Sequence, residues 1–236
     1  MDKTIRALDR SIDVLEYLAS QNEEVRISEI GQALEMPSST LLRITHTLEL
    51  RGLLVKHPLT GGFRLGPRLL YYSRSLLNSI DYRQVSRELM KKLRDDTKET
   101  VSLYIKQLDN RVCIEKFEGP EPLRASIQIG DILPLVSGGA GKVLLAYLNQ
   151  SRIEVPQSVL EEIRGRGYAT SHAEYQQGVS SVAAPIFDFH DNVVAALSVS
   201  GPSSRFQGDH MKEIIEKAKF TAAKISIALG YEEKVK

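Results

Sequence analysis

Apolar residues Ile5, Leu8, Ile12, Leu15 and Leu18 recur at intervals of three and four, the period of one helix face. They predict a first helix over about 4–19 with that face buried. After the polar stretch QNEEVR, Ser28 offers a cap to a short helix that turns Ile30, Ala33 and Leu34 inward. Pro37 disfavours a helical Met36, and Ser38 offers an N-cap oxygen to a third helix with Leu41, Ile44 and Leu48 on its inner side. Gly52 ends that helix. The runs LLVKH and FRL, separated by PLTGG, predict two short strands joined by a glycine turn, a wing. Gly66 and Pro67 then open another helical run, PRLLYYSRSLLNSI.

Beyond residue 80 the pattern changes. Asp81 and Gln84 predict a capping pair for a helix that buries Val85, Leu89 and Leu93, after which the helical period gives way to alternation. VSLYIKQ and RVCIEKF, around Leu108, Asp109 and Asn110, predict one hairpin; VAAPIFDF and VVAALSVS, around His190, Asp191 and Asn192, predict another. Between them fall a helix from about 141 to 148 and a shorter one near 158–164. A long amphipathic helix through Met211, Ile214, Ile215, Ala218, Ala222 and Ile225 closes the chain. The prediction is an α+β protein of two domains: a winged helix-turn-helix over 1–66, a linker helix over 67–80, and a sheet with helices packed on it over 81–236.

Composition changes this picture little. With 236 residues, 42% of them hydrophobic, the chain can bury two modest cores. Its apolar stretches fall short of the roughly 18 residues of a membrane span, and residues 1–30 lack the layout of a signal peptide, so a cytoplasmic protein is expected. Cys113 is the single cysteine, which excludes an intrachain disulfide and a cysteine-rich metal site. Charge is more informative. Residues 1–36 carry four Lys/Arg against eight Asp/Glu, whereas residues 37–80 carry Arg43, Arg51, Lys56, Arg64, Arg68 and Arg74 against Glu49 alone. That basic step begins at the third helix and fits a polyanionic partner.

A helix-turn-helix needs apolar residues on both inner faces and at the turn, with a polar outer face on its second helix. Ile30, Leu34, Met36, Leu41 and Ile44 fill the inner positions; Ser38, Ser39, Thr40, Arg43, His46 and Thr47 form the outer face. Arg43 can bond a guanine edge with two donors, a contact worth about 1–3 kcal/mol of base discrimination, while hydroxyls near the helix start suit phosphate. Lys56 and Arg64 on the wing, and Arg6 or Arg10 near the first helix, are candidate contacts to the DNA backbone. Glu35 stands where such turns often hold glycine. A left-handed non-glycine residue costs about 1–2 kcal/mol, so another turn geometry is the expectation there.

Taken in order, RALDRSIDVLEYLA, ISEIGQALEMPSSTLLRITHTLELRGLL, the wing ending FRLG, SGGAGKVLLAYL, RGYATSHAEYQQGVSSVAAPIFD and VVAALSVSGP resemble the IclR family of bacterial regulators over essentially the whole chain. The resemblance implies a winged helix-turn-helix, a linker helix used in dimerisation, and a GAF-like C-terminal domain that binds a small organic or aromatic acid. It implies a dimer, or a dimer of dimers, reading a palindrome-like operator in double-stranded DNA. The expected function is effector-responsive regulation, as a repressor of a small-molecule catabolic pathway, with ligand-gated activation as the alternative.

SGGAGK at 137–142 is not a phosphate-binding P-loop, because Val136 and Val143 break its pattern at both ends. What remains is a glycine-rich entry to a helix, whose amides can hold a carboxylate or can equally be a tight turn against a sheet. The family resemblance assigns the effector to Gly139, Ala140, Ser171, Ser181, Ser198 and Ser200. In some relatives an acid stands at the position of Ser171 and a cysteine at that of Ser181, so effector identity does not transfer. Ser198 and Ser200 lie two apart on a strand and so share a face, although serines bonding nearby backbone would look the same. Glu174 and Gly178 match family positions read as structural.

No catalytic residue, metal site or cofactor is expected. The histidines His46, His57, His172, His190 and His210 show no paired metal-ligand spacing, and no nucleophile motif occurs. Asp188, His190 and Asp191 cluster where a β-turn needs polar residues anyway. Cys113 alternates with apolar neighbours as a core residue does. Two other classes stay open at this level: an enzyme acting on a small acid or amide through the second domain, and a module whose first domain binds protein.

Overall fold

The computed structural model describes residues 4–78, 81–147 and 155–232. They fall in two compact units, Met1–Ser79 and Ile80–Lys236.

The first unit runs α1 (Arg6–Ala19), α2 (Ile27–Ala33), α3 (Ser38–Leu50), β1 (Leu54–Lys56), β2 (Phe63–Leu65) and α4 (Arg68–Asn78). Its core joins Val14 and Leu18 of α1 to Ile30, Met36, Leu41, Ile44 and Leu48, with Leu54 and Phe63 beneath the wing. The apolar stripe of α1 is therefore mostly not buried: Ile5, Leu8 and Ile12 are 64%, 58% and 51% exposed. So small a unit encloses only the C-terminal end of the stripe.

The caps also differ from expectation. Arg26 donates its amide to Glu29 Oε2 at 2.8 Å, and Ser28 lies inside the first turn of α2. Ser38 is already helical, with extended Pro37 at the N-cap of α3, since the proline ring fixes a φ that suits this place. The turn between α2 and α3 does take the left-handed form, and Glu35 carries it at φ 47°. Gly52, at φ 69°, ends α3 as read from sequence; its neighbour Leu53 donates its amide back to the Leu48 carbonyl at 2.8 Å. β1 and β2 pair antiparallel, with Val55 opposite Arg64.

The second unit runs α5 (Asp81–Thr97), β3 (Thr100–Gln107), β4 (Asn110–Phe117), β5 (Ile132–Pro134), α6 (Gly138–Tyr147), α7 (Gln157–Arg166), β6 (Ala169–His172), β7 (Val179–Phe187), β8 (Val193–Pro202) and α8 (Gly208–Ala228). The strands form one antiparallel sheet in the order β5-β4-β3-β8-β7-β6. Both expected hairpins are present within it. β5 and β6 were not foreseen, because three or four residues are too few to show a period.

Helices cover both faces of the sheet. On one side Met90 and Leu93 of α5 and Ile214, Ala218, Ala222 and Ile225 of α8 pack on Leu103, Val182, Ile186 and Leu197. On the other, Val143 and Leu144 of α6 and Ile163 of α7 pack on Tyr104, Cys113, Ala183 and Ala196. α5 buries Ser86, Met90, Leu93 and Thr97, while Val85 and Leu89 are half-buried. The cap expected from Asp81 lies outside the described side chains. α6 begins three residues before the expected start, because Gly138 at φ 75° lets the chain turn directly into the helix.

Candidate functional site

In the first unit the inner residues of α3, Leu41, Ile44, Thr45 and Leu48, are buried, which turns the rest of the helix outward. Ser38, Ser39, Arg43, His46 and Thr47 are exposed and Thr40 is half-exposed. Folding brings Arg6 and Arg10 of α1 into one groove with Thr40, Arg43 and Thr47, a space of about 480 Å³ lined by three guanidinium groups. Spacing alone had not placed the α1 cations beside Arg43. Lys56 and Arg64 lie exposed on the wing, outside this groove; Lys56 Nζ stands 5.7 Å from the centre of the Phe63 ring.

In the second unit Gly139, Ala140, Ser171, Ser181, Ser198 and Ser200 line a single cavity of about 50 Å³. Strand pairing explains how three segments far apart in sequence meet. Ser171 of β6 is opposite Ser181 of β7, Ser181 is opposite Ser200 of β8, and Ser200 is opposite Thr100 of β3. Four hydroxyl residues thus stand in a row across the sheet. Ser198 lies two residues from Ser200 on the same face, over which α6 begins.

That helix start is already engaged. The Gly138 amide donates to Glu174 Oε2 at 3.2 Å, and the Gly139 amide donates to Ser181 Oγ at 3.1 Å. Glu174 also pairs with Lys142 Nζ. A Cβ at Gly139 would come within 3.0 Å of the Ala169 carbonyl oxygen, so helix and sheet approach this closely only with glycine there. Glu174 is thereby placed at the cavity rim as a cap, in keeping with its structural reading.

Sequence reasoning missed Arg111, which enters the cavity from β4. Its side chain is held by the Pro134 and Ser137 carbonyls, to which Nη1 donates, and its guanidinium carbon lies 5.4 Å from the centre of the Tyr104 ring. Burial lowers the Arg111 pKa and raises that of Tyr104. One signal was available: Arg111 is two residues before Cys113 and so shares its face of the strand. Tyr175 and Gln176 line this cavity and also an outer cleft of about 440 Å³ that includes Ser126 and Asp131.

Asp188 accepts the amides of His190 and Asn192 at 2.9 and 3.0 Å, so its carboxylate shapes the β7–β8 turn. Among the described residues no group of three or more His, Cys, Asp or Glu is placed to hold a metal ion.

An exposed recognition helix with a wing in one unit, joined in sequence to a second unit of sheet and helices, defines a DNA-binding regulator of transcription. The model of the IclR helix-turn-helix domain matches residues 7–58, and that of the bacterial transcriptional regulator IclR C-terminal region matches residues 74–155 and 154–227. The chain belongs to the IclR family of bacterial transcriptional regulators. It is 31% identical to the HTH-type transcriptional regulator XynR of Escherichia coli, over 96% of this chain and 98% of that one. The acetate operon repressor of Salmonella typhimurium is 27% identical, over 96% and 90% of the two chains. Among solved structures, Thermotoga maritima IclR is similar with a TM-score of 0.77 at 26% identity, covering 97% of this chain and all of that one. Pseudomonas aeruginosa HmgR is similar with a TM-score of 0.60 at 26% identity, over 98% and 100% of the two chains.

Proposed function

We propose that this protein is a cytoplasmic repressor of a catabolic operon that a small acid releases from its operator, and that it is not an enzyme. The observation that carries the DNA half is the groove in which Arg6, Arg10 and Arg43 converge beside the exposed face of α3. In this reading Arg43 is the leading base contact. Ser38, Ser39, Thr40, His46 and Thr47 complete the major-groove face, and Arg6, Lys56 and Arg64 bind phosphate. The effector is held by Gly139, Ala140, Ser171, Ser181, Ser198 and Ser200. Repression is supported by relatives named as repressors, the acetate operon repressor and AllR of Escherichia coli.

The working unit is a homodimer on a palindrome-like site, or a pair of such dimers. Supporting this are the exposed Ile5, just before α1, Leu8 and Ile12 of α1 and the exposed Leu70, Tyr71 and Tyr72 of α4, apolar surface that a second copy would cover. No described helix is long and apolar enough to cross a membrane.

Site selection from random DNA with the full chain tests the reading. The expected outcome is a symmetric consensus whose occupancy falls steeply with salt and whose base preference changes in Arg43→Ala. Binding that ignores salt and sequence would refute it. In a reporter strain, effector should raise transcription from the selected site; a fall would reverse the assigned direction.

A further inference from the structure

We infer that Arg111 is the anion-anchoring residue of the effector cavity, and that the effector is a small aliphatic monocarboxylate whose other oxygens are read by the serine row. This rests on the proposal that the cavity is the effector site, and it names the chemistry of that site.

Arg111 is only 4% exposed, and among the described residues no carboxylate forms an ion pair with it. The nearby Glu174 is consumed by Lys142 and by the Gly138 amide, so that pair cancels and the guanidinium charge remains. A buried unpaired charge is costly, and the counter-charge that best relieves it is one that also accepts hydrogen bonds. Nη1 is committed to two carbonyls, but Nε and Nη2 donate to no described group. Two unused donors on one planar guanidinium suit a carboxylate.

The rest of the cavity fits the remainder of such a ligand. Ser200 is 8% exposed and its buried Oγ has no hydrogen-bond partner, so a second polar group awaits one there. Ser171 and Ser198 add hydroxyls, while Leu133 and Val179 offer only carbon. Size narrows the class further. The cavity holds about 50 Å³, and since one water-sized group needs about 10–15 Å³ on this measure, it accommodates about three to five such groups. A two-carbon hydroxy or oxo acid meets all three conditions and a three-carbon one lies at the upper limit of size, whereas an aromatic acid exceeds the space.

The full-length protein can be titrated by calorimetry and thermal shift with glycolate, lactate and pyruvate, with their amides, and with benzoate. At least one of the three acids should bind and raise the melting temperature, while the matching amide and benzoate do not. Arg111→Gln should weaken the acid at least about tenfold, as loss of one partner of a buried charged contact does. Its circular dichroism spectrum establishes that it folds. If it does not fold, the comparison of acid with amide on the unaltered protein still decides.

Equal binding of acid and amide, binding of benzoate in place of the small acids, or no binding by any acid in the set overturns the inference. The cavity reading is separated by Ser200→Leu, which fills the space. Acid binding kept in Arg111→Gln but lost in Ser200→Leu leaves the cavity as the site and removes Arg111 from it. Acid binding kept in both overturns the cavity reading as well.

Discussion

Glu174 accepts the amide of Gly138 at 3.2 Å, so the first turn of α6 is capped by a side chain from the turn between β6 and β7. Because the same carboxylate pairs with Lys142, it ties that turn to the helix above the cavity. The pair is about one-third exposed, which limits its worth to about 1 kcal/mol, and the backbone hydrogen bond adds about 1 kcal/mol more. Glu174→Ala should therefore lower stability by about 1–2 kcal/mol in urea unfolding. An unchanged midpoint would show that the cap contributes nothing.

Glu99 makes the opposite kind of ion pair. Its side chain is 1% exposed, and Arg205 grips it with two donors, Nη2 standing 2.8 Å from Oε2. Removing Arg205 leaves a buried carboxylate unpaired, a loss of about 3–5 kcal/mol. Arg205→Ala is expected to unfold at clearly lower denaturant, while Arg205→Ala combined with Glu99→Leu should recover part of the loss. If the double variant were no more stable than the single, the cost would lie in packing and not in charge.

Cys113 is fully buried, and burial pushes its thiol up to about 12 from an ordinary value of 9.0. The native protein should resist iodoacetamide at pH 8 and react only once unfolded, as mass spectrometry would show. The sign for stability follows from linkage. The unfolded thiol ionises from about pH 9 upward while the folded one holds its proton, so this group lowers stability as pH rises from 9 toward 12. Cys113→Ser should flatten that part of the stability curve; a curve of unchanged slope would argue against the assignment.

DNA affinity offers two separable readouts. Lys56→Ala and Arg64→Ala should weaken binding to all sequences alike, each reducing the slope of log affinity against log salt by about 0.9. Arg43→Ala should cost about 1–3 kcal/mol on the preferred site and relax selection at one base position. If Arg43→Ala lost affinity evenly over all sequences, its role would be that of a phosphate contact.

Glu35 occupies a left-handed conformation at φ 47°. Glycine there relieves a strain of about 1–2 kcal/mol but loses backbone entropy of about 0.5–1 kcal/mol, so Glu35→Gly should raise stability by up to about 1 kcal/mol. Thermal unfolding checks this. A lower melting temperature would mean that the glutamate makes a compensating contact.

The recognition helix was legible in the sequence because its information is local. Leu41, Ile44 and Leu48 repeat with the helical period, so the face opposite them could be assigned without knowing any partner. The same rule overreached at α1, where period showed which residues share a face but not whether anything covers Ile5, Leu8 and Ile12. Capping residues were misplaced by a position or two at α2 and α3, since neighbouring serines and a proline satisfy the same rules about equally well.

The cavity divides in the same way. Alternation along β8 was enough to put Ser198 and Ser200 on one face, and the family motifs pointed to Ser171 and Ser181. Strand register, which set Ser171, Ser181, Ser200 and Thr100 in one row, depends on pairings between residues up to a hundred positions apart. Its place two residues before Cys113 puts Arg111 on a buried strand face but does not mark it as a cavity residue; the Pro134 and Ser137 carbonyls that hold it come from the chain entering α6. Sequence by itself therefore determined the periodic elements, the basic reading face and the family. Tertiary structure alone decided which charges are buried, which are paired and which are left open to a ligand, because those depend on neighbours that only the folded chain brings together.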